Sequence, residues 1–508
     1  MLFDRAARDP AGLALDDLTR RRSWQELADR SVRVARFLRD DAGLAPDDHV
    51  AVLMENRVEC IELILGAIMA GVWLTPLNWH LREDEIAYVV GDSHAKVLFS
   101  SVRFEETARR VMAGQIGGGV VLAGDELDAA LASASDVPMD ESGPAGGNMI
   151  YTSGTTGRPK GVKRARPPTV GSALENLAHL GSHVGLDGSG PHLITGPMYH
   201  AAPLMFAVYD NAGGAPIVIQ PHWDERDCLA LLQEREVAHV HLVPTMFVRL
   251  LRLPEDERAA FHAPALEACL HGAAPVAVSI KERMIEWWGE ILIEYWGGTE
   301  GGVNTLATSR EWLEHPGTVG RALPGFEIFA VDESGERLPT GERGDLYCRH
   351  PNLDRPFEYH GDPRKTERAY LAPGVFTIGD IGSVDEEGWV FLADRKSNMI
   401  ISGGVNIYPL EIEQVIGEHP AVADVGVFGV PDDEWGESVK AAVELSSGHT
   451  PSPALEADIL AFARERLAGY KVPRSIDFED ELPRHESGKL YIRHLRDRYW
   501  PDRERRIG

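Results

Sequence analysis

A chain of 508 residues, 44% apolar and 26% charged, has room for roughly three globular domains and an ample core. Its 51 basic and 79 acidic residues leave a formal charge of −28, which repels nucleic acid and anionic lipid and excludes both as main partners. Cys60, Cys228, Cys269 and Cys348 are scattered without a CxxC pair, so they read as reduced core thiols of a cytoplasmic protein.

The first ten residues, MLFDRAARDP, are charged from the fourth onward and hold no signal-peptide core. Ser23–Asp40 places Leu27, Val32, Val34, Ala35 and Leu38 on one helical stripe, with Ser23 as N-cap. Val50–Met54 reads as a buried strand. Leu63–Leu74 is the greasiest run but falls short of the ~18 residues a bilayer span needs, so a buried helix and no membrane anchor are expected. Further apolar strands are expected at 96–99, 216–219, 240–243 and 291–293, alternating with helices as in layered α/β subdomains. The stretch 123–147 looks loop-like.

Composition changes after Arg337. Short strands at 344–348, 382–384 and 389–392, with Gly- and Asp-rich turns between them, form a β-rich subdomain. Beyond Asp394 come strands at 423–430 and 441–445 and a helix from Pro453 to Leu467, capped by Ser452. The fold class is therefore α/β and α+β multidomain. Residues 1–395 form a body of two layered α/β subdomains and a β-rich one; 396–508 form a small α+β C-terminal domain.

The chemistry concentrates in YTSGTTGRPKG, Tyr151–Gly161. In Thr152, Ser153, Gly154, Thr155, Thr156 and Gly157, glycines let the backbone approach a phosphate while hydroxyls and amides donate to it. Five cations follow between Arg158 and Arg166, Lys160 among them. The spacing is not that of a Walker A loop, which needs Gly, four residues and Gly-Lys-Ser/Thr.

The string TSGTTGRPKG resembles the phosphate loop of the adenylate-forming superfamily, which includes acyl-CoA synthetases, peptide-synthetase adenylation domains and beetle luciferases. Further matching stretches run in family order from Ser23-Trp24-Gln25-Glu26-Leu27 to Ser487-Gly488-Lys489. The resemblance implies ATP as substrate and Mg²⁺ on Glu300, with Thr299 beside the phosphates. It implies nucleotide contacts from His271, Gly272 and Ala273 in HGAAP and from Glu294, Tyr295 and Trp296 in EYWGGTEG. Trp296 stands where the family commonly has tyrosine. Asp380, in FTIGD, would take the ribose hydroxyls; Thr377 and Ile378 depart from the family pattern there. Arg395 would reach the ribose and Ser397 would be the hinge, a position usually held by Asp or Lys.

Lys489 matches the family's catalytic lysine, bridging carboxylate and α-phosphate. Ser402, Gly403 and Gly404 resemble the loop lining a thiol tunnel, and Trp435, Tyr470 and Arg474 would grip coenzyme A. The C-terminal domain would turn to exchange Lys489 for that loop between two half-reactions. The first makes acyl-AMP and pyrophosphate; the second makes acyl-CoA and AMP. His200, Val243, Met246 and Gly298 outline the acyl pocket. That pocket has no early Asp for an amino group, so a hydrophobic acid is expected, whether fatty, alicyclic or aromatic. The alternative is an aryl- or amino-acid-activating ligase with another acceptor. Oligomeric state is not legible, a homodimer being one option.

Overall fold

The computed structural model describes residues 2–152, 158–395, 398–403, 405–432, 434–484 and 490–500. Local chemistry sets the first long helix, Trp24–Arg36. Ser23 Oγ accepts from Glu26 N (3.2 Å) and the Glu26 carboxylate accepts from Ser23 N (2.7 Å), closing a capping box. Val58–Ala70 is buried on every side and ends at Gly71, whose φ of 78° suits the left-handed cap. It carries two carboxylates into the core. Glu62 is held by Arg22 Nε (2.6 Å) and Arg30 Nε (2.7 Å), and Glu59 by Arg20 and Arg57, because a buried charge needs a partner.

Among the described residues, three sheets build the body. In a seven-stranded sheet, His49–Leu53, Trp73–Pro76 and Ala95–Ser100 run parallel, and Gly147–Thr152 continues beside Trp73–Pro76. Lys160–Arg164 then pairs antiparallel with Gly147–Thr152, and Phe357–Tyr359 adds the edge. A nine-stranded sheet has parallel His192–Ile194, His239–Leu242, Ala268–His271 and Leu292–Gly298 at its centre. One apolar cluster takes Val50, Val52 and Leu74 from the first sheet and Leu15, Ile217 and Leu270 from the second, with Val58–Ala70 among them. The parallel strands are buried along most of their length because both faces are covered, and the polar residues they carry, such as His49 and His241, are buried with them.

The third sheet is antiparallel and includes Glu327–Val331, Gly344–Arg349, Asp380–Val384 and Val390–Arg395. After it, Ile400–Ser402, Val405–Ile407, Val422–Asp432, Gly436–Leu445 and Ser475–Glu479 form a separate five-stranded sheet over its own core of Ile400, Val427, Val443 and Ile459. The molecule is thus a mixed α/β multidomain protein with a large body and a small C-terminal unit. Arg252 of the body donates to Ala423 O (2.6 Å) and lies 3.7 Å from Glu444, tying the two together.

One expectation is corrected. The stretch 123–147 is not all loop: Asp125–Ser133 is a helix. Gly124, at φ 51°, turns the chain into it, and Leu127 and Leu131, four apart, bury on one face. All four cysteines are buried and free; burial pushes the Cys60 and Cys228 thiols up to about 12. Among the described residues no helix is long and apolar enough to cross a membrane.

Candidate active site

Tyr151 and Thr152 close one strand and Lys160 opens the next, in register Tyr151↔Gly161 and Thr152↔Lys160. Ser153, Gly154, Thr155, Thr156 and Gly157 lie outside the described residues, but both flanks of the run are fixed. Asp92, at the end of helix Glu83–Asp92, accepts from Tyr151 Oη (2.8 Å) and lies 3.6 Å from Lys160 Nζ. Tyr88 Oη donates to Pro159 O (3.0 Å) under the Arg158 guanidinium. One helix end therefore clamps both sides of the hydroxyl run.

The five cations do not act together. Alternate residues of a strand face opposite ways, so Lys163 turns from Lys160 and Arg164. It donates to His49 Nε2 (3.1 Å) beside Trp73. Burial and Lys163 push His49 down to about 3, so its imidazole is neutral. Arg166, over the same indole, pairs with Asp47. Arg164 covers Gly302, where a Cβ would sit 2.6 Å from its guanidinium.

Thr299 and Glu300 occupy the turn between Leu292–Gly298 and Gly302–Thr308. Glu300 Oε1 accepts from Tyr359 Oη (2.9 Å), and Tyr359 pairs with Val162 on the phosphate hairpin. Burial, and then the Glu300 carboxylate it bonds, raise the Tyr359 phenol well above its ordinary range. Asp380 lies across from Arg395 on the antiparallel pair Asp380–Val384 and Val390–Arg395. It is 5% exposed; Oδ2 accepts from Trp296 Nε1 (2.7 Å) and Oδ1 faces Arg395 Nε (3.0 Å). Trp296 is thus a buried donor to the carboxylate, a use that sequence reasoning missed.

His271, Glu294 and Tyr295 turn their side chains into the core. Burial holds the His271 imidazole neutral, and Glu294 Oε2 takes Lys281 Nζ at 2.5 Å. Gly272 lets the chain pass the Tyr295 ring, 2.7 Å from where a Cβ would be, and Ala273 follows at φ 66°. At this edge the chain therefore offers backbone, a flat surface without long side chains.

His200 precedes helix Ala201–Gly213, Val243 and Met246 open Pro244–Leu251, and Gly298 ends its strand. Between these elements lies a polar pair the sequence did not reveal. His241 Nε2 and Tyr295 Oη are 3.0 Å apart, with Phe206 against both rings. Thr195 Oγ1 donates to His241 O (2.6 Å) and lies 3.7 Å from Met246 Sδ. Burial pushes His241 down to about 3. Its depressed folded pKa contributes stability present above the unfolded value near 6.5 and lost as pH falls toward 3. Acidification from pH 7.5 to 5 is therefore expected to cost about 2 kcal/mol through this residue. In urea unfolding at the two pH values, His241→Gln should show a smaller drop than wild type by that amount; an unchanged drop would refute it.

In the C-terminal unit Ser402 pairs with Gly436, and Gly403, at φ 58°, donates its N–H to Trp435 O (2.8 Å). A Cβ on Gly403 would meet the Trp435 ring at 2.4 Å, so bulk here displaces Trp435 first. Asp432 holds Trp435 N (2.9 Å) and Arg474 Nη1 (2.5 Å). Trp435 and Tyr470 are exposed. Gly404, Ser397 and Lys489 lie outside the described residues. Tyr491, two places beyond Lys489, feels the charge of Glu85, on the helix that clamps the phosphate hairpin.

Residues 2–356 match the AMP-binding enzyme family and 411–489 match the AMP-binding enzyme C-terminal domain. A feruloyl-CoA synthase of an Amycolatopsis species is 33% identical over 482 residues, 94% of each chain. The fatty acid–[acyl-carrier-protein] ligase ScoC of Streptomyces coeruleorubidus is 32% identical over 497 residues, 96% of this chain and 93% of that one. The crystal structure of ATP-bound MatB from Rhodopseudomonas palustris superposes with a TM-score of 0.86 at 30% identity, covering 98% of this chain and 97% of that one. The chain belongs to the AMP-binding enzyme family, within the adenylate-forming superfamily, and is an AMP-forming acid–thiol ligase.

Proposed function

We propose that this enzyme activates a hydrophobic carboxylic acid with ATP, releasing pyrophosphate, and passes the acyl group from acyl-AMP to coenzyme A. The observation that carries the reading is the Asp380 clamp between Trp296 and Arg395, with Trp296 on the hairpin whose turn holds Glu300. A carboxylate has about four lone-pair sites, so Asp380 can keep both protein partners and still accept from a ribose. Carboxylate and ATP repel each other, so the first step needs charge neutralisation and alignment more than acid–base groups.

Thr152 to Gly157, Lys160 and Lys489 would hold the phosphates, Thr299 beside them. Gly272 and Ala273 would offer the base a flat backbone. Mg²⁺ fits Glu300: Oε1 is taken by Tyr359, and among the described residues Oε2 has no donor. One carboxylate oxygen is the kind of ligand this ion takes, and when bound it would supply positive charge to the phosphates. Transfer would follow rotation of residues 396–508 near Ser397, bringing Ser402–Gly404, Trp435, Tyr470 and Arg474 to the thiol. Val243 and Met246 stand in a buried apolar cluster, which supports an apolar acid, as do relatives named for ferulate and fatty acids.

The carrier-protein acceptor of ScoC supports a second reading, in which the acceptor thiol belongs to a protein. Acid-dependent ATP–pyrophosphate exchange across fatty, alicyclic, aromatic and amino acids, followed by AMP release with coenzyme A or carrier protein, tests both. Exchange is expected with apolar acids, and AMP release with coenzyme A. Exchange confined to amino acids, or release with carrier protein alone, would overturn the proposal.

A further inference from the structure

Lys365 belongs to the short helix Pro363–Arg368 and matches none of the motifs that mark the site. Its position is nonetheless well fixed. Asp362 Oδ1 accepts from Lys365 N (3.0 Å), and Thr366 Oγ1 accepts from Tyr359 N (2.9 Å), fastening the helix to the strand before it. The Lys365 ammonium rests 3.8 Å from the Tyr359 ring centroid, on the ring whose hydroxyl donates to Glu300. It is half-buried and feels the charges of Glu300, Asp362 and Lys160. Among the described residues it forms no ion pair, so a partly desolvated cation stands beside the phosphate hairpin with a π-face beneath it.

The other cations nearby are largely committed. Lys163 and Arg166 are drawn off to His49 and Asp47, and Lys160 lies 3.6 Å from Asp92. A polyphosphate carries more negative charge than one lysine and one divalent ion neutralise. We propose that Lys365 is an additional phosphate-binding cation, acting on the β- and γ-phosphates of ATP and on the pyrophosphate they become. Its place on the Tyr359 ring, whose hydroxyl reaches Glu300 and whose strand pairs with Lys160–Arg164, points to that end of the nucleotide, since Asp380 and Arg395 are assigned to the ribose end. This inference rests on the adenylate-forming reading above.

The test is equilibrium binding to the whole enzyme, with ATP and AMP each titrated in Mg²⁺ buffer. Lys365→Met is expected to weaken ATP binding about tenfold or more, the loss of a charge-assisted contact, while AMP affinity stays within about twofold. Lys365→Arg should recover most of the ATP affinity, and the KM for pyrophosphate in exchange should rise in Lys365→Met. Unchanged ATP binding would overturn the proposal. So would equal weakening of ATP and AMP, which would mark Lys365 as a mere support for Tyr359. A melting temperature for each variant separates misfolding from either outcome. If the wild-type enzyme bound neither nucleotide, the adenylation reading itself would fall, a result distinct from failure of the lysine alone.

Discussion

Replacing Lys489 with alanine is expected to cut adenylate formation by about 10²–10³-fold, the usual loss when one preorganised donor to a developing charge is removed. The reason is electrostatic. An acid carboxylate must approach the α-phosphate against repulsion, and only a cation between the two relieves it. Transfer from supplied acyl-AMP to the thiol has no such encounter, so that half-reaction should change by only a few-fold. The residues on either side of the lysine's loop show what carries it. Arg484 Nε pairs with Asp424 Oδ2 (2.6 Å), and Leu490 packs where a Cβ on Gly426 would lie 2.3 Å from its methyl group. Arg484 and Leu490 also bridge to each other. Both flanking residues are thus fixed to the C-terminal sheet, and in the proposed rotation they would travel with it. Pyrophosphate exchange and acyl-AMP consumption, assayed separately, check the prediction. Equal losses in both would refute a lysine that serves the first step alone.

How much of this was legible in the sequence depended on the range of the interaction. The cap at Ser23 rests on a serine and a glutamate three residues apart, and it reads directly. The helix Asp125–Ser133 escaped because its apolar face is only two leucines long and its first turn is acidic, which resembles a loop until packing is known. Asp380 is singled out by its motif, but its partner Trp296 is 84 residues away, and no local pattern links an indole to that carboxylate. The dispersal of the cations after Gly157 was in principle readable, since strand alternation separates Lys163 from Lys160; their partners Asp47 and His49 were not. His241 sat in an expected strand, yet its meeting with Tyr295 depends on the register of parallel strands. Lys365 gave no signal because its meaning comes from the ring beneath it.

Replacing Asp380 with alanine is expected to raise the KM for ATP by about 100-fold or more and, unlike the lysine change, to weaken both half-reactions. Both ATP and acyl-AMP present the same ribose, and a carboxylate accepting from it is worth about 1.5–3 kcal/mol per hydrogen bond. Two such bonds account for the factor. The structure adds a second effect. Without the carboxylate, the Trp296 indole N–H loses its buried partner, at about 1–3 kcal/mol, and Arg395 loses the group that holds it in place. Arg395 is partly exposed and can turn to water; Trp296, 5% exposed, cannot. Asparagine at position 380 keeps an acceptor for the indole, so Asp380→Asn should melt close to wild type while still binding ATP more weakly. Trp296→Phe reverses the pattern: the carboxylate stays for the ribose but loses a donor that fixes it, so a smaller rise in KM is expected. Steady-state kinetics in both half-reactions, with melting temperatures for all three variants, separate ribose binding from support of the site. If Asp380→Ala impaired adenylation but left acyl-AMP consumption intact, the assignment of Asp380 to the ribose would be wrong.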